Sequence, residues 1–204
     1  MHTNLSEGQL DVFARDGYLL IDNFLEEDIA LQLLEELKHW KEQEAFRIAG
    51  IGKLTQHKIE EDFRKDEIKW IDRENCLPAT KVYLQSLESL MKQLSREFYL
   101  SLKDFESMYA IYPEGAFYKK HKDRFQQQAH RIISVVLYLN IAWEEKDAGE
   151  LLIYSNKQSI KVEPKFNRLV FFKSELLHEV LSCNNTRYSI TTWLKDQFNE
   201  VNFL

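Results

Sequence analysis

His121 and Asp123 flank a single lysine in the order His121-Lys122-Asp123. On an extended backbone, side chains two apart point the same way, so an imidazole and a carboxylate there could meet one cation. Alone, the pair fits a surface ion pair at least as well, because a chain with six histidines meets this spacing by chance. His178 closes an apolar run, Leu169-Val170-Phe171-Phe172 and then Leu176-Leu177. A single histidine so placed is more often a packed strand-edge residue than a ligand. Arg187 opens the segment Arg187-Tyr188-Ser189-Ile190-Thr191-Thr192-Trp193, in which alternation puts Arg187, Ser189, Thr191 and Trp193 on one strand face. An arginine turned inward beside a threonine needs an anion, either an acidic side chain of the chain itself or a bound carboxylate. Taken as a set, the four residues fit one chemistry. Two imidazoles and one carboxylate form a facial triad that leaves positions open on Fe(II). A keto-acid chelates two of these and dioxygen takes the third. The far carboxylate of the keto-acid then calls for a bidentate cation, which arginine supplies better than lysine.

Such a site needs a frame that brings distant segments together. From Phe105 onward the apolar period is about two. Runs at Ser107–Tyr112, Phe117–Lys120, Ile132–Asn140, Glu150–Tyr154, Ser159–Val162, Arg168–Phe172, His178–Leu181 and Arg187–Leu194 are rich in β-branched and aromatic residues. Turn signals such as Pro113-Glu114-Gly115, Asp147-Ala148-Gly149 and Asn184-Asn185 separate them. Strands of this number and length predict a double-sheet jelly roll or a small barrel.

The first half of the chain reads differently. Ser6 and Gln9 form a capping-box pattern before a short helix that Gly17 stops. Tyr18–Ile21 is a short apolar strand. Glu26 to about Trp40 is amphipathic, with Ile29, Leu33, Leu34 and Leu37 on one face. Ala45–Phe63 has no clear period and reads as a loop or irregular hairpin, and Ile68–Ile71 as a strand. Pro78 opens a long helix carrying Val82, Leu84, Leu87, Leu90, Met91 and Leu94. The expected class is α+β: a jelly-roll (double-stranded β-helix) core with N-terminal supporting helices over one sheet face. It forms one domain, with residues 1–104 as support and substrate-loop region and 105–204 as the core.

With 44% hydrophobic and 29% charged residues, a chain of 204 residues can bury a sizeable core. The net charge of −6 argues against nucleic acid as a main partner. Neither Cys76 nor Cys183 sits in a CxxC pair, which argues against a thiolate zinc site. The N-terminus MHTNLSEGQLDVF is not a signal peptide, and no apolar stretch approaches a membrane span, so the expected setting is cytoplasmic.

The segment from Tyr112 to Trp193 resembles the Fe(II)- and 2-oxoglutarate-dependent prolyl 4-hydroxylases, especially the hypoxia-inducible-factor prolyl hydroxylases and their bacterial relatives. The stretches that carry the likeness are Tyr112-Pro113-x-Gly115, Tyr118-x-x-His121-x-Asp123, Tyr138-Leu139-Asn140-x-x-Trp143 and Gly149-x-Leu151. They continue through Glu163-Pro164-Lys165-Phe166-x-Arg168-Leu169-x-Phe171-Phe172, His178-Glu179-Val180 and Arg187-Tyr188-x-Ile190-Thr191-x-Trp193, with Arg64-x-Asp66-x-Ile68-x-Trp70-Ile71 upstream.

The resemblance implies iron on His121, Asp123 and His178. It implies 2-oxoglutarate held by Arg187, Tyr112, Tyr138 and Thr191, with O2 as second co-substrate and ascorbate as an accessory. Tyr118 and Trp193 would line the proline side of the cavity, and Arg64 and Asp66 would belong to substrate binding. The implied partner is a proline-containing protein or peptide, in bacterial relatives a translation factor, and the implied state is a monomer. Without the likeness, tyrosines in a β-rich chain mostly pack in cores. The chain departs from the family in having Ala148-Gly149 for Gly-Gly, a loop one residue shorter between Tyr112 and His121, and a different Ala45–Phe63 segment. These departures touch the substrate and leave the iron chemistry alone. The alternatives are a dioxygenase acting on free proline or another small molecule, and a non-catalytic module that holds a metal or a peptide.

Overall fold

The structure is a computed structural model that describes residues 4–50, 62–125, 128–155 and 158–198. The first helix, α1 (Glu7–Asp16), begins at the expected capping box: the Ser6 hydroxyl accepts from the Gln9 amide and the Gln9 side chain accepts from the Ser6 amide. It ends at Gly17, whose φ of 78° is the left-handed conformation a side chain would resist. β1 (Tyr18–Ile21) follows, then α2 (Glu27–Glu42), β2 (Arg47–Ile48), β3 (Glu67–Trp70) and α3 (Pro78–Glu97). Pro78 starts α3 where its missing N–H costs nothing, and Glu36 of α2 caps the helix by accepting from the amides of Ala79 and Thr80, each at 2.8 Å. That contact ties the two long helices together.

The remaining strands are β4 (Asp104–Tyr112), β5 (Tyr118–His121), β6 (Arg131–Tyr138), β7 (Leu151–Tyr154), β8 (Ser159–Val162), β9 (Leu169–Lys173), β10 (Leu177–Val180) and β11 (Arg187–Lys195). Each of the eight expected strands is present, with ends displaced by no more than a few residues. They form two antiparallel sheets, ordered β1-β9-β6-β11-β4-β3-β2 and β5-β10-β7-β8. β1, β2 and β3 extend the larger sheet from the first half of the chain. β2 was not foreseen; it is two exposed residues paired with β3, too short to show a period. The expected Ala45–Phe63 loop is described only at its two ends, and residues 51–61 lie outside the described residues.

Alternation along the strands of the larger sheet sorts two cores. On its outer face Tyr109, Ile133, Val135, Leu137, Ile190 and Leu194 pack against Phe13 of α1, Leu33 and Leu37 of α2, and Leu87, Leu90 and Leu94 of α3. All three helices therefore back this face. Each such leucine contributes about 1.5–3 kcal/mol by burial, so the helix layer makes the larger sheet a rigid wall. On the inner face Tyr112, Val136, Tyr138, Phe172 and Trp193 meet Leu151, Ile153, Val162 and Val180 of the smaller sheet. The space between the sheets is where the candidate residues converge. Cys76 and Cys183 are free thiols, and no helix among the described residues is long and apolar enough to cross a membrane.

Candidate metal centre and co-substrate pocket

His121 and His178 are opposite each other in the pairing of β5 with β10, so sheet closure alone juxtaposes them. Their ring centroids are 4.2 Å apart. Asp123 lies just beyond β5, with Oδ1 at 3.5 Å from His121 Nε2 and Oδ2 at 3.4 Å from His178 Nε2. One ligand atom from each residue lies within 4.8 Å of the others, a spacing at which a single ion can be held. The rings are oriented by the backbone: each Nδ1–H donates to the carbonyl two residues earlier, His121 to Lys119 at 2.7 Å and His178 to Leu176 at 2.9 Å. A carbonyl can only accept, so in the neutral rings Nε2 is the nitrogen that carries the lone pair and the one through which each imidazole could hold a metal.

Electrostatics reinforce the geometry. Burial opposes the charged Asp123 carboxylate, but the charges and hydrogen bonds of His178 and His121 outweigh it and hold the carboxyl well below the usual range. Burial also opposes a charged His178, yet Asp123 raises it above the usual imidazole value. At His121 burial prevails and the value is lowered.

Arg187 heads β11 on the same interior face and is 4% exposed. One of its terminal nitrogens donates to Ser189 Oγ at 3.2 Å, and its Nε has no partner among the described residues. No carboxylate pairs with it among the described residues. Its guanidinium carbon lies 4.7 Å from the Tyr112 ring and 4.9 Å from the Tyr138 ring. The buried Tyr138 hydroxyl has no partner either. Burial pushes both phenols up, against the opposing charge of Arg187. A buried cation, a free Nε–H and a free hydroxyl facing one space are the groups that a dicarboxylate would satisfy. Thr191 is half-buried two positions beyond Ser189 on this face; the direct contact to Arg187 is made by Ser189.

Of the residues expected on the proline side, Tyr118 lies against the cluster. Tyr118 stacks on His121 with centroids 3.5 Å apart, and Arg64 lies 4.2 Å over the other side of Tyr118. Burial and Arg64, acting oppositely, leave the Tyr118 phenol raised to about 12. Arg64 and Asp66 form a buried bidentate pair at 2.7 and 2.6 Å, so they satisfy each other and brace Tyr118. Trp193 has a buried indole N–H with no partner, stands 5.9 Å from Trp70 and carries Arg131 at 3.6 Å over its ring.

Sequence reasoning missed Ser134 and Ser174, both fully buried, of which Ser134 donates to Asp123 Oδ2 at 2.7 Å. The available signal was a lone polar residue on the inward face of an apolar strand. It also missed how tightly Gly149 is held. A Cβ there would fall 2.6 Å from Cys183 Sγ and 3.2 Å from Arg187 Cδ, at a φ of 76°.

Comparison with known proteins agrees with this geometry. Residues 107–195 match the family model for the 2OG-Fe(II) oxygenase superfamily. The chain is 31% identical over 190 residues to prolyl hydroxylase EGLN3 of Mus musculus, covering 88% of this chain and 79% of the relative. It is 30% identical over 193 residues to Egl nine homolog 1 of Mus musculus, covering 89% of this chain but 47% of the relative, so it spans about half the length of that protein. Among solved structures, a prolyl-4-hydroxylase of Pseudomonas putida superposes with a TM-score of 0.84 at 33% identity, covering 94% of this chain and 98% of the other. A prolyl hydroxylase of Trichoplax adhaerens, solved with a hypoxia-inducible-factor peptide, superposes with a TM-score of 0.83 at 26% identity over 96% of each chain. With its jelly-roll core and its His-Asp-His cluster, the chain belongs to the 2OG-Fe(II) oxygenase superfamily and is homologous to the EGLN prolyl hydroxylases.

Proposed function

We propose that this chain is an Fe(II)- and 2-oxoglutarate-dependent dioxygenase that hydroxylates a prolyl residue in a protein or peptide, acting as a monomer in the cytoplasm. The observation that carries the reading is Arg187, a buried guanidinium without a carboxylate partner among the described residues, sharing one inter-sheet space with a three-residue metal-type cluster. The donor set fits the metal: two imidazoles and one carboxylate suit Fe(II) and leave room for a chelating co-substrate. His121, Asp123 and His178 would hold the iron. Arg187, with Tyr138, Tyr112 and Thr191 around it, would hold 2-oxoglutarate.

When bound, iron and 2-oxoglutarate supply the oxygen chemistry, which couples loss of carbon dioxide and succinate to hydroxylation of the substrate. The chain's own residues orient and enclose. Lys119 and Leu176 fix the imidazoles through their carbonyls, and the rings of Tyr112 and Tyr138 form apolar walls that keep water from Arg187. Tyr118 and Trp193 would line the substrate side, with the Arg64–Asp66 pair holding Tyr118 in place. A peptide substrate is supported by the homology to prolyl hydroxylases and by the Trichoplax relative's bound peptide.

The test is succinate release from 2-oxoglutarate with proline-containing peptides, with and without Fe(II). Mass spectrometry then asks whether the added oxygen is on a peptide prolyl residue or on free proline. Turnover that survives His178→Ala would refute the iron assignment, and oxygen added only to free proline would refute the peptide substrate.

A further inference from the structure

We infer that Ser134 and Ser174 form a hydroxyl relay that positions the Asp123 carboxylate between the two imidazoles. The inference rests on the reading of His121, Asp123 and His178 as metal ligands. Ser134 lies on the inner face of β6, between the sheets, and Ser174 directly follows β9, the neighbouring strand. Both are 0% exposed. Ser134 Oγ donates to Asp123 Oδ2 at 2.7 Å and lies 2.8 Å from Ser174 Oγ. A hydroxyl has one proton. The carboxylate can only accept, so the Ser134 proton is committed to it, and Ser174 must donate to Ser134. The chain of donors therefore runs from Ser174 through Ser134 to Asp123, and each link strengthens the next in a dry interior.

Ser174 is fixed in turn by the backbone. Its amide donates to the Ile132 carbonyl at 3.0 Å, and its carbonyl accepts from the Arg124 amide at 2.9 Å, next to Asp123. The relay thus clamps the Asp123 loop and the carboxylate together.

The arrangement has a chemical consequence. A carboxylate free to rotate can offer both oxygens to an ion and occupy a second position. A facial triad needs its remaining positions for the co-substrate and oxygen. Tying Oδ2 to Ser134 fixes the rotation of the carboxylate and engages one of its lone pairs, which disfavours two-oxygen binding. A serine that merely filled its site would not need this alignment, and an inner-face position in a strand otherwise written Ile-Ile-Ser-Val-Val-Leu-Tyr favours an apolar residue.

The test uses Mn(II) affinity by calorimetry and the visible spectrum of the Co(II)-loaded protein, both read without turnover. Ser134→Ala should weaken Mn(II) binding by about 10–100-fold and change the Co(II) bands, as loss of a group orienting a ligand does. Ser134→Thr, which keeps the hydroxyl, should restore both. Ser174→Ala, which leaves Ser134 its acceptor, should shift both in the same direction by less. It also carries the test if Ser134→Ala does not fold, as judged by circular dichroism. Affinity within twofold of the wild type together with unchanged Co(II) bands in the folded variants would overturn the relay. A wild-type protein that binds neither ion would instead overturn the metal assignment itself.

Discussion

Replacing Arg187 by Met separates a structural arginine from a ligand anchor. Removing one half of a buried ion pair ordinarily costs about 3–5 kcal/mol, because the other charge is stranded. Arg187 has no carboxylate to strand among the described residues, and its contacts are one hydrogen bond of 3.2 Å and two tyrosine faces. Met fills a similar volume without the charge. In the absence of ligand the variant should therefore unfold within about 1 kcal/mol of the wild type, or ~2–4 °C for a chain of this size. Ligand binding should respond very differently. Two charge-assisted hydrogen bonds to the far carboxylate are worth about 1.5–3 kcal/mol each, so 2-oxoglutarate affinity should fall more than about 100-fold. Thermal unfolding followed by circular dichroism, with Mn(II) and with or without 2-oxoglutarate, reads both effects. At about 100 times the dissociation constant the ligand should stabilise the wild type by about 2.7 kcal/mol. The same ligand concentration should hardly move the variant. A loss of ~3 kcal/mol without ligand, or equal stabilisation of both proteins by 2-oxoglutarate, would refute the reasoning.

Gly149→Ala should lower 2-oxoglutarate affinity by displacing Arg187, since the new methyl would meet Cys183 Sγ at 2.6 Å and Arg187 Cδ at 3.2 Å. Adding Cys183→Ala should recover part of the loss seen by calorimetry, while the φ of 76° keeps a residual strain of about 1–2 kcal/mol. Metal loading should depend on pH with a sign set by His178. Its imidazole holds a proton more tightly than usual, and an ion must displace that proton, so Mn(II) affinity should fall as pH drops through the raised value and level off above it. His121 is shifted the other way, so it should contribute less to the slope than His178; a flat calorimetric profile would contradict this.

Much of the molecule could be read from local pattern. Period-two alternation and β-branched, aromatic runs located the eight core strands, because successive side chains point to opposite faces of a sheet. Ser6, Gln9, Gly17 and Pro78 marked helix ends because their effects act within one turn. The metal-type cluster was legible with Arg187 as four residues that fit one chemistry, and the resemblance joined them to Tyr112, Tyr138 and Thr191. What local pattern does not carry is pairing across the chain. The order of the sheets, the cross-strand meeting of His121 with His178 and the reach of Ser134 to Asp123 all depend on which strands become neighbours. The strained turn before Gly149 was also hidden. Ala148 sits at φ 53°, ψ −151°, a conformation that glycine adopts freely, and the relative's Gly-Gly marked the position without giving its geometry.

The pairing of His121 with His178 bears on how the protein acquires its chemistry. β5 and β10 are distant in sequence, and β10 must also pair with β7 before the smaller sheet is complete. Contacts of such long sequence separation form slowly, because loop entropy is lost before the contact is gained. The backbone carbonyls that orient the imidazoles are in place only once those strands are. Metal competence is therefore a late event in folding and a report on closure of the sandwich. Before those strands meet, His121 and Asp123 share one segment and His178 lies on another; the three-residue site exists only after they pair.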